Sequence, residues 1–592
     1  MGRLTSTFTA CCVVLLALAG CAEPTALNNP ALNPVEAHRT PQVPPTALVR
    51  DRQPLATLVV PADGTPWKGK TSIEQLAANE LADYVELATG ARLPVMTDAE
   101  RPTGTLVLVG ASQLSAQQGI TAEDLPGEGF RVRSFDGGLA IVGRLPSPPY
   151  DIGKAGTVFG VYDVLERFLG IRWYYPGTDG RIIPKTKTLV IPPVHYTDYP
   201  VRVKRTMYPW TAKGTPGKPD FTRFALRYRA GASTPVSTGC HTPANFGIHF
   251  KDHPECFELG IDGKRDPGMP CYGNPKTVEL MIEDLERYYN EGDKRPWTRS
   301  NGGLWQPPTE STIHISPPDK GIDCHCKYCQ VTFRPHERRL GRHSVTLVRF
   351  VDRMARQIET RWPEKTVFYL PYSNYTLPVE GTRLPDNVVA GICLMRGAGN
   401  AKEPEIFRDH DRMIRGWQRV TSRPIHLWEY LCWPGRDTTL PFQYPHVLQK
   451  FQQTYTRREM AGSFINGDSG YPGLKGMQWA FQHPTIYCWF RLMWNPDFNV
   501  DAALDEYVRL MYGPAAEPMG KLLNQLIDRW ENTRWETLPG GHSITPYMVH
   551  EETMPPAEAK KLARHLELAR AAAGPESVYR RRVDFFGQAV DQ

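Results

Sequence analysis

Residues 345–372, "VTLVRFVDRMARQIETRWPEKTVFYLPY", read as a helix that runs into a strand, and "TIHIS" at 312–316 reads as a strand before them. Strand, helix and strand in succession make a parallel βαβ unit. The alternation extends outward on both sides. Further candidate strands are "VRVKRTMY" (201–208), "MPCYG" (269–273), "VVAGICLM" (388–395), "PIHLWEY" (424–430) and "GSFINGD" (462–468). Between them lie helical segments such as "PKTVELMIEDLERYYN", "IFRDHDRMIRGWQRV" and "HVLQKFQQTYTRREM". Seven or eight such units over about 300 residues predict a (β/α)8 barrel of the TIM type across residues 200–500, within an α/β chain. A doubly wound open sheet is the alternative, but no glycine-rich phosphate loop accompanies the pattern.

The barrel has neighbours on both sides. Residues 55–195 read as a smaller α/β domain: "LATLVVP" and "GTLVLVG" as strands, "SIEQLAANELADYVELATG" as an amphipathic helix stopped by Gly90, and "GFRVRSFDGGLAIVG" as a hairpin. No catalytic constellation appears there, and the domain reads as support. Residues 501–592 read as helices, among them "DAALDEYVRLMYG" and "PPAEAKKLARHLELARAAAG".

At the start, "MGRLTSTFTACCVVLLALAGCAEP" has an early arginine, an apolar run too short to span a bilayer, and Leu18-Ala19-Gly20-Cys21. The tetrapeptide resembles a bacterial lipobox, which implies a signal peptide over 1–21 and lipidation at Cys21. The alternative is an ordinary signal peptide cut elsewhere. Residues 22–54, rich in Pro, Ala and Asn, read as a disordered spacer. The expectation is an exported lipoprotein of the cell envelope that meets the membrane through its lipid only. Ala22 rather than an aspartate after the cysteine favours the outer membrane.

With 69 Lys+Arg against 63 Asp+Glu the net charge is +6, spread without basic blocks, which argues against nucleic acid as a partner. The 14 Trp, 25 Tyr and 22 Phe exceed what a core alone asks for and suit the apolar faces of sugars, so a carbohydrate partner is expected.

Catalytic groups of a barrel lie at the C-terminal ends of its strands. Reading those ends gives Asp319 beyond "TIHIS", Tyr372, the trio Trp428, Glu429 and Tyr430, and Asp468 in "NGDSG"; "STGCHTP" adds His241. Carboxylates converging with aromatics are the equipment of glycoside hydrolysis, in which one acid protonates the leaving oxygen and a second group attacks or stabilises the anomeric carbon. Glu429 is expected as general acid/base, since an acid between Trp428 and Tyr430 in a strand is costly without a task. A structural ion pair, with Arg436 as the partner, is the alternative. Asp319 is expected as its catalytic partner, against the plain reading of a turn residue after two prolines. His241, Tyr372, Trp428, Trp433, Asp468 and Trp305 are expected to bind substrate.

Three cysteines in six residues, Cys324, Cys326 and Cys329, admit a structural zinc site completed by His325, Cys271 or Cys240. A disulfide plus a free thiol competes, because export permits disulfides. Of 12 cysteines, removing Cys11, Cys12 and Cys21 leaves nine in the mature body, an odd count that cannot pair completely. Catalytic zinc has no H-E-x-x-H run to hold it. No cofactor is expected to be required, and the cluster reads as a staple that holds Asp319 at the rim.

The stretches "GTVFGVYDVLERFLGIRWYYPG", "HTPANFGIHFKDHPECFELGIDGKRDPGMPCYGNP", "ISPPDKGIDCHCKYC" and "LMWNPDFNVDAALDEYVRLMYG", in this order over about residues 60 to 535, resemble a bacterial family of large exported proteins first catalogued as a domain of unknown function. Its characterised members are endo-β-N-acetylglucosaminidases that cut complex N-glycans. The resemblance implies a hexosaminidase-like domain ahead of a catalytic barrel and puts His241, Cys271, Asp319 and the cysteine cluster within family motifs. Related barrels often use an adjacent Asp-Glu pair, and none ends a strand here; the nearest equivalent is Trp428-Glu429. Either Asp319 or Asp468 orients the substrate's acetamido group, or the mechanism is not substrate-assisted. The expected activity is retaining hydrolysis of β-linked N-acetylglucosamine-containing glycans. The alternatives are an α-glucuronidase-like hydrolase and a non-catalytic glycan-binding lipoprotein.

Overall fold

A computed structural model describes residues 26–592 apart from 70, 149–151, 209–220, 240, 244, 298–306, 395–401, 431–440, 467–477, 539–540, 544 and 592. The first layer is a seven-stranded mixed sheet. Its strands are β1 (Glu36–Ala37), β2 (Ala56–Val60), β3 (Val95–Thr97), β4 (Thr105–Val109), β5 (Phe130–Phe135), β6 (Gly138–Gly143) and β7 (His195–Asp198), in the spatial order β1-β7-β5-β6-β4-β2-β3. Helix α1 (Ile73–Thr89) starts where the Ser72 side chain accepts from the Gln75 amide. It stops at Gly90, whose φ of 81° is left-handed. With α2 (Gly156–Leu169) it covers one face of the sheet, where Leu81, Val85, Val158, Val161 and Leu165 are fully buried.

The segment read as a disordered spacer is folded from residue 26 onward. Thr46–Arg50 pairs with Leu189–Ile191, and β1 pairs with β7. Long-range polar contacts hold the rest. The buried Arg167 guanidinium donates to the carbonyls of Leu27 (3.3 Å) and Asn33 (2.5 Å), and the Asn33 amide donates to the Arg491 carbonyl at 2.8 Å. A buried guanidinium needs acceptors, and the turns at the start of this Pro-rich stretch supply them.

The second sheet holds β8 (Lys204–Tyr208), β9 (Gly231–Ala232), β12 (Thr312–Ile315), β13 (Thr366–Tyr369), β14 (Val388–Cys393), β15 (Ile425–Glu429) and β16 (Met460–Asn466), while β10 (Phe257–Leu259) and β11 (Arg265–Pro270) form a separate hairpin. The order is β9-β8-β16-β15-β14-β13-β12. All neighbours from β8 through to β12 are parallel, and β9 is antiparallel to β8. Because the first long strand pairs with the last, the sheet curls into a half-barrel. The segment after β9 covers the remaining opening: Ser311 Oγ donates to the Pro235 carbonyl at 2.8 Å, and Thr242 and Ser316 exchange backbone bonds in an isolated antiparallel bridge. Six parallel strands, not the eight of a closed barrel, are present among the described residues. The expected strand "MPCYG" is not one of them. Its first two residues end β11, which carries Pro267 and Pro270, residues that cannot donate within a central strand.

Helices α3 (Pro275–Glu291), α4 (Ser344–Arg361), α5 (Pro404–Thr421), α6 (Pro445–Thr454) and α7 (Gln478–Trp494) follow strands or the hairpin, and α8 (Val500–Tyr512), α9 (Ala516–Glu531), α10 (Pro556–Ala573) and α11 (Val578–Gly587) close the chain. Among the described residues no helix is long and apolar enough to cross a membrane. Side chains alternate across the curled sheet. Val367, Tyr369, Ala390, Ile392, Ile425 and Leu427 join the core shared with the helices, while Phe368, Val389, Cys393 and Trp428 cluster with Val236 and Leu370 on the concave face. Gly391 is required there, since a Cβ would stand 2.0 Å from Phe368 Cζ.

Buried ion pairs weld the two layers. Arg229 binds Asp163 at 2.7 Å, Glu166 at 3.0 Å and Asp198 at 3.3 Å; Arg491 pairs with Glu166, and Arg205 with Glu128 at 2.7 Å.

Candidate active site

The site grows from the C-terminal end of β12. The chain leaves the sheet at Ser316, whose bridge to Thr242 sets His241 beside the outgoing loop. His241 has a left-handed backbone, φ 53°. Its Nδ1 lies 2.7 Å from the Pro317 carbonyl, which can only accept, so Nδ1 carries the proton and Nε2 faces Asp319. The Nε2 to Asp319 Oδ1 distance is 3.8 Å, and the Asp319 side chain is 68% exposed. Tyr372, just beyond β13, turns its ring edge-on to His241 with centroids 6.2 Å apart.

The next strand ends complete the rim. The Cys393 thiol donates to the Tyr430 hydroxyl at 3.5 Å. Burial pushes the Cys393 thiol up to about 12, and the Asp319 charge adds to that rise. Burial likewise raises the Tyr430 phenol well above its ordinary value, with Cys393, Tyr372 and Asp319 contributing in turn. The field of Asp319 thus reaches the ends of both β14 and β15. Asp319, His241, Tyr372, Cys393 and Tyr430 form one grouping.

Beneath it the concave face is aromatic and closed. Trp428 is 4% exposed and packs on Phe464 with centroids 4.5 Å apart, so it is a wall of the floor rather than an open platform. Deeper still, His314 and His426 are buried. Burial drives them down to about 4 and about 3, with Lys204 contributing, and Lys204 itself is lowered by burial to about 8. The floor therefore holds two imidazoles kept neutral beside a lysine whose charge helps to keep them so.

Glu429 stands apart from this grouping. It shares strand parity with Ile425 and Leu427, whose side chains face the helices, whereas Trp428 faces the cleft. It is fully buried, and its Oε1 accepts from the Ser463 hydroxyl. The register pairs Ser463 with Leu427 on that same helix-facing side. The structure brings Asp319, His241 and Tyr372 together and does not bring Glu429 to them, because a one-residue step along a strand reverses the face.

Residues 175–524 match the family described as Domain of unknown function (DUF4838). The chain belongs to that family. The DUF4838 region opens at Tyr175 in the first layer and closes within α9, so it takes in the whole curled sheet. No curated protein matches the sequence. Among solved structures, a family GH115 4-O-methyl-α-glucuronidase with specificity for decorated arabinogalactans aligns with a TM-score of 0.53 at 14% identity, covering 92% of this chain and 73% of that one. A β-N-acetylhexosaminidase from Bacteroides fragilis aligns with a TM-score of 0.40 at 13% identity, covering 78% of this chain and 89% of that one. The first score marks a shared fold; the second is too low to bear on it.

Within the DUF4838 region, Trp305, Trp433, Asp468, Arg436 and Cys240 lie outside the described residues, as does Cys21 ahead of it. The sequence reading missed Cys393 as a rim residue, and Lys204, His314 and His426 as the floor. A signal is clear for His314 alone, where Thr312, His314 and Ser316 alternate with Ile313 and Ile315. Of the possible fourth partners for the cysteine cluster, the fold supplies Cys271: its Sγ and those of Cys324, Cys326 and Cys329 all lie within 4.8 Å of one another.

Proposed function

We propose that the protein is a glycoside hydrolase that cleaves β-linked N-acetylglucosamine-containing glycans, with retention at the anomeric carbon, where Asp319, His241 and Tyr372 meet. The observation that carries this reading is the exposed Asp319 carboxylate at the C-terminal rim of a curled parallel sheet, 3.8 Å from His241 and ringed by Tyr372 and Tyr430. A carboxylate open to solvent at such a rim is available to orient an acetamido group or stabilise an oxocarbenium-like centre, and the neighbouring rings suit the apolar face of a sugar. The fold shared with a glycoside hydrolase agrees with it.

In this reading Asp319 touches the substrate, His241 fixes its direction and Tyr372 lines the subsite. Glu429 takes a positioning role instead of the acid/base role expected from the sequence: with Ser463 it ties β15 to β16, whose opposite faces carry Trp428 and Phe464. Asp468 and Trp433 remain proposed substrate contacts. The enzyme is read as an exported lipoprotein anchored through Cys21, working on carbohydrate at the cell envelope, with a mild preference for the outer membrane.

An α-glucuronidase-like activity is the second reading, favoured by the fold shared with the GH115 enzyme. One experiment addresses both: hydrolysis of N-glycoproteins, chromogenic N-acetylglucosaminides and α-glucuronides, with mass spectrometry of the products. Release of an N-acetylglucosamine-ended glycan is expected. Glycan binding without release from any substrate would overturn the enzyme reading in favour of a binding lipoprotein.

A further inference from the structure

The loop that carries Asp319 continues into a cluster of sulfur atoms that the hydrolase reading does not use. Cys271 Sγ lies 3.4 Å from Cys326 Sγ, 3.7 Å from Cys329 Sγ and 3.8 Å from Cys324 Sγ. All four residues are buried, none more than 7% exposed. A disulfide would single out one pair at about 2.05 Å. Here one sulfur is nearly equidistant from three others. Four sulfurs bound at about 2.3 Å around a tetrahedral zinc stand about 3.8 Å apart, since the edge of a tetrahedron is about 1.63 times its radius. The three spacings from Cys271 match that edge within a few tenths of an ångström, and all four sulfurs lie within 4.8 Å of one another.

The backbone is shaped for the same arrangement. A Cβ on Gly273 would fall 2.7 Å from Cys329 Sγ and 3.0 Å from the Cys329 amide nitrogen, so the chain next to Cys271 approaches the cluster as only glycine allows. The Leu259 amide donates to Cys324 Sγ at 3.4 Å, the kind of donor a thiolate favours. The ligands come from two separate pieces of chain: Cys271 directly follows the β10–β11 hairpin, and the other three follow the β12 loop.

We propose that Cys271, Cys324, Cys326 and Cys329 form a structural tetrathiolate zinc site that clips the Asp319 loop to the β10–β11 hairpin. On binding, the four thiols give up their protons and the ion holds four sulfurs with no open position, so the site braces and does not catalyse. The contacts around it are those of a clasp. The His325 amide donates to the Leu259 carbonyl at 2.8 Å, the Asp323 amide donates to Glu258 Oε2 at 3.2 Å, and Lys320 pairs with Asp266. The site stands whether or not the protein hydrolyses glycans.

The test is elemental analysis of the full chain, purified after export, with thiol counting by alkylation and mass spectrometry. About one zinc per chain is expected, with these four cysteines protected in the folded protein and alkylated once the protein is denatured with a chelator. Cobalt in place of zinc should give the thiolate charge-transfer absorption of a tetrahedral site. Cys326→Ser should lower zinc content at least tenfold, while Cys256→Ser, outside the cluster, should leave it unchanged. Should Cys326→Ser fail to fold, the wild-type stoichiometry and alkylation pattern still decide. A zinc-free protein whose four cysteines are either alkylated at once or locked in disulfides, each lowering the mass by two hydrogens, would overturn the proposal.

Discussion

Replacing Asp319 by Asn and, separately, Glu429 by Gln should divide activity from stability in opposite ways. Asp319 is 68% exposed, and its contact with His241 is longer than a hydrogen bond at 3.8 Å. An exposed pair of that kind contributes at most about 1 kcal/mol, so Asp319→Asn should unfold at nearly the wild-type denaturant midpoint. If Asp319 works on the substrate, the same change should lower turnover about a hundredfold to ten-thousandfold, a barrier increase of about 3 to 5 kcal/mol. Glu429 is the reverse case. It is fully buried and accepts from Ser463, and its amide would put N–H groups where a carboxylate only accepts. That mismatch costs about 1 to 3 kcal/mol of stability. Turnover by the folded fraction should change far less than for Asp319→Asn. The assays are equilibrium unfolding and initial rates on the best substrate from the screen. A Glu429→Gln variant as stable as wild type but inactive would refute the positioning role and restore the acid/base reading. An Asp319→Asn variant with full turnover would refute the site itself.

Three further outcomes follow from the geometry. Arg229→Leu strips the shared partner from the buried carboxylates Asp163, Glu166 and Asp198, and should cost about 3 to 5 kcal/mol in chemical unfolding; a loss under about 1 kcal/mol would mean that the two layers are not welded there. His446, bound first by Glu531 and then by Asp501, has its pKa raised to about 9, so its stabilisation is complete below an unfolded value of about 6.5 and fades as pH rises through about 9. After discounting for its part-exposed side chain the effect is about 1 kcal/mol, and the decline between those pH values should vanish in His446→Gln. Asn374 brackets Ile322, accepting from its amide at 3.1 Å and donating to its carbonyl at 2.7 Å, so Asn374→Ala should lower kcat more than KM by freeing the Asp319 loop; equal loss of stability and activity, with no such split, would make Asn374 merely structural.

The strand and helix alternation was legible because it is local: six of the seven expected strands are parallel members of the curled sheet, including Thr312–Ile315 and Thr366–Tyr369. What failed depends on distant partners. Nothing in residues 26–54 announces that Arg167, more than 130 positions away, needs their carbonyls. Nothing around residue 271 chooses it over Cys240 or His325 as the fourth member of the cysteine cluster; the β10–β11 hairpin does. Glu429 is a different case. Its place at a strand end was read correctly, while its face was readable from the sequence and not used: Ile425, Leu427 and Glu429 share one parity, Trp428 and Tyr430 the other.

That distinction bears on how this rim can be evolved or redesigned. A residue at the end of a barrel strand has two coordinates, its height along the strand and the face it presents, and only residues correct in both reach a substrate. Asp319 escapes the second condition because it stands in a loop, beyond the last pleat of β12. A loop residue has freedom of direction but little rigidity, so its direction must be set by neighbours. Here three separate supports converge on the loop: the Thr242 bridge with the Pro317 contact of His241, the Asn374 side chain on Ile322, and the cluster of four sulfurs just beyond. Of these supports the His241 ring approaches the Asp319 carboxylate, to 3.8 Å, and 68% of that side chain stays exposed. The fold therefore places fixing contacts on the backbone around Asp319 and leaves most of the carboxylate's surface exposed, which is what the proposed role on a ligand requires and what a plain turn residue would share, so the Asp319→Asn rate is the measurement that separates the two.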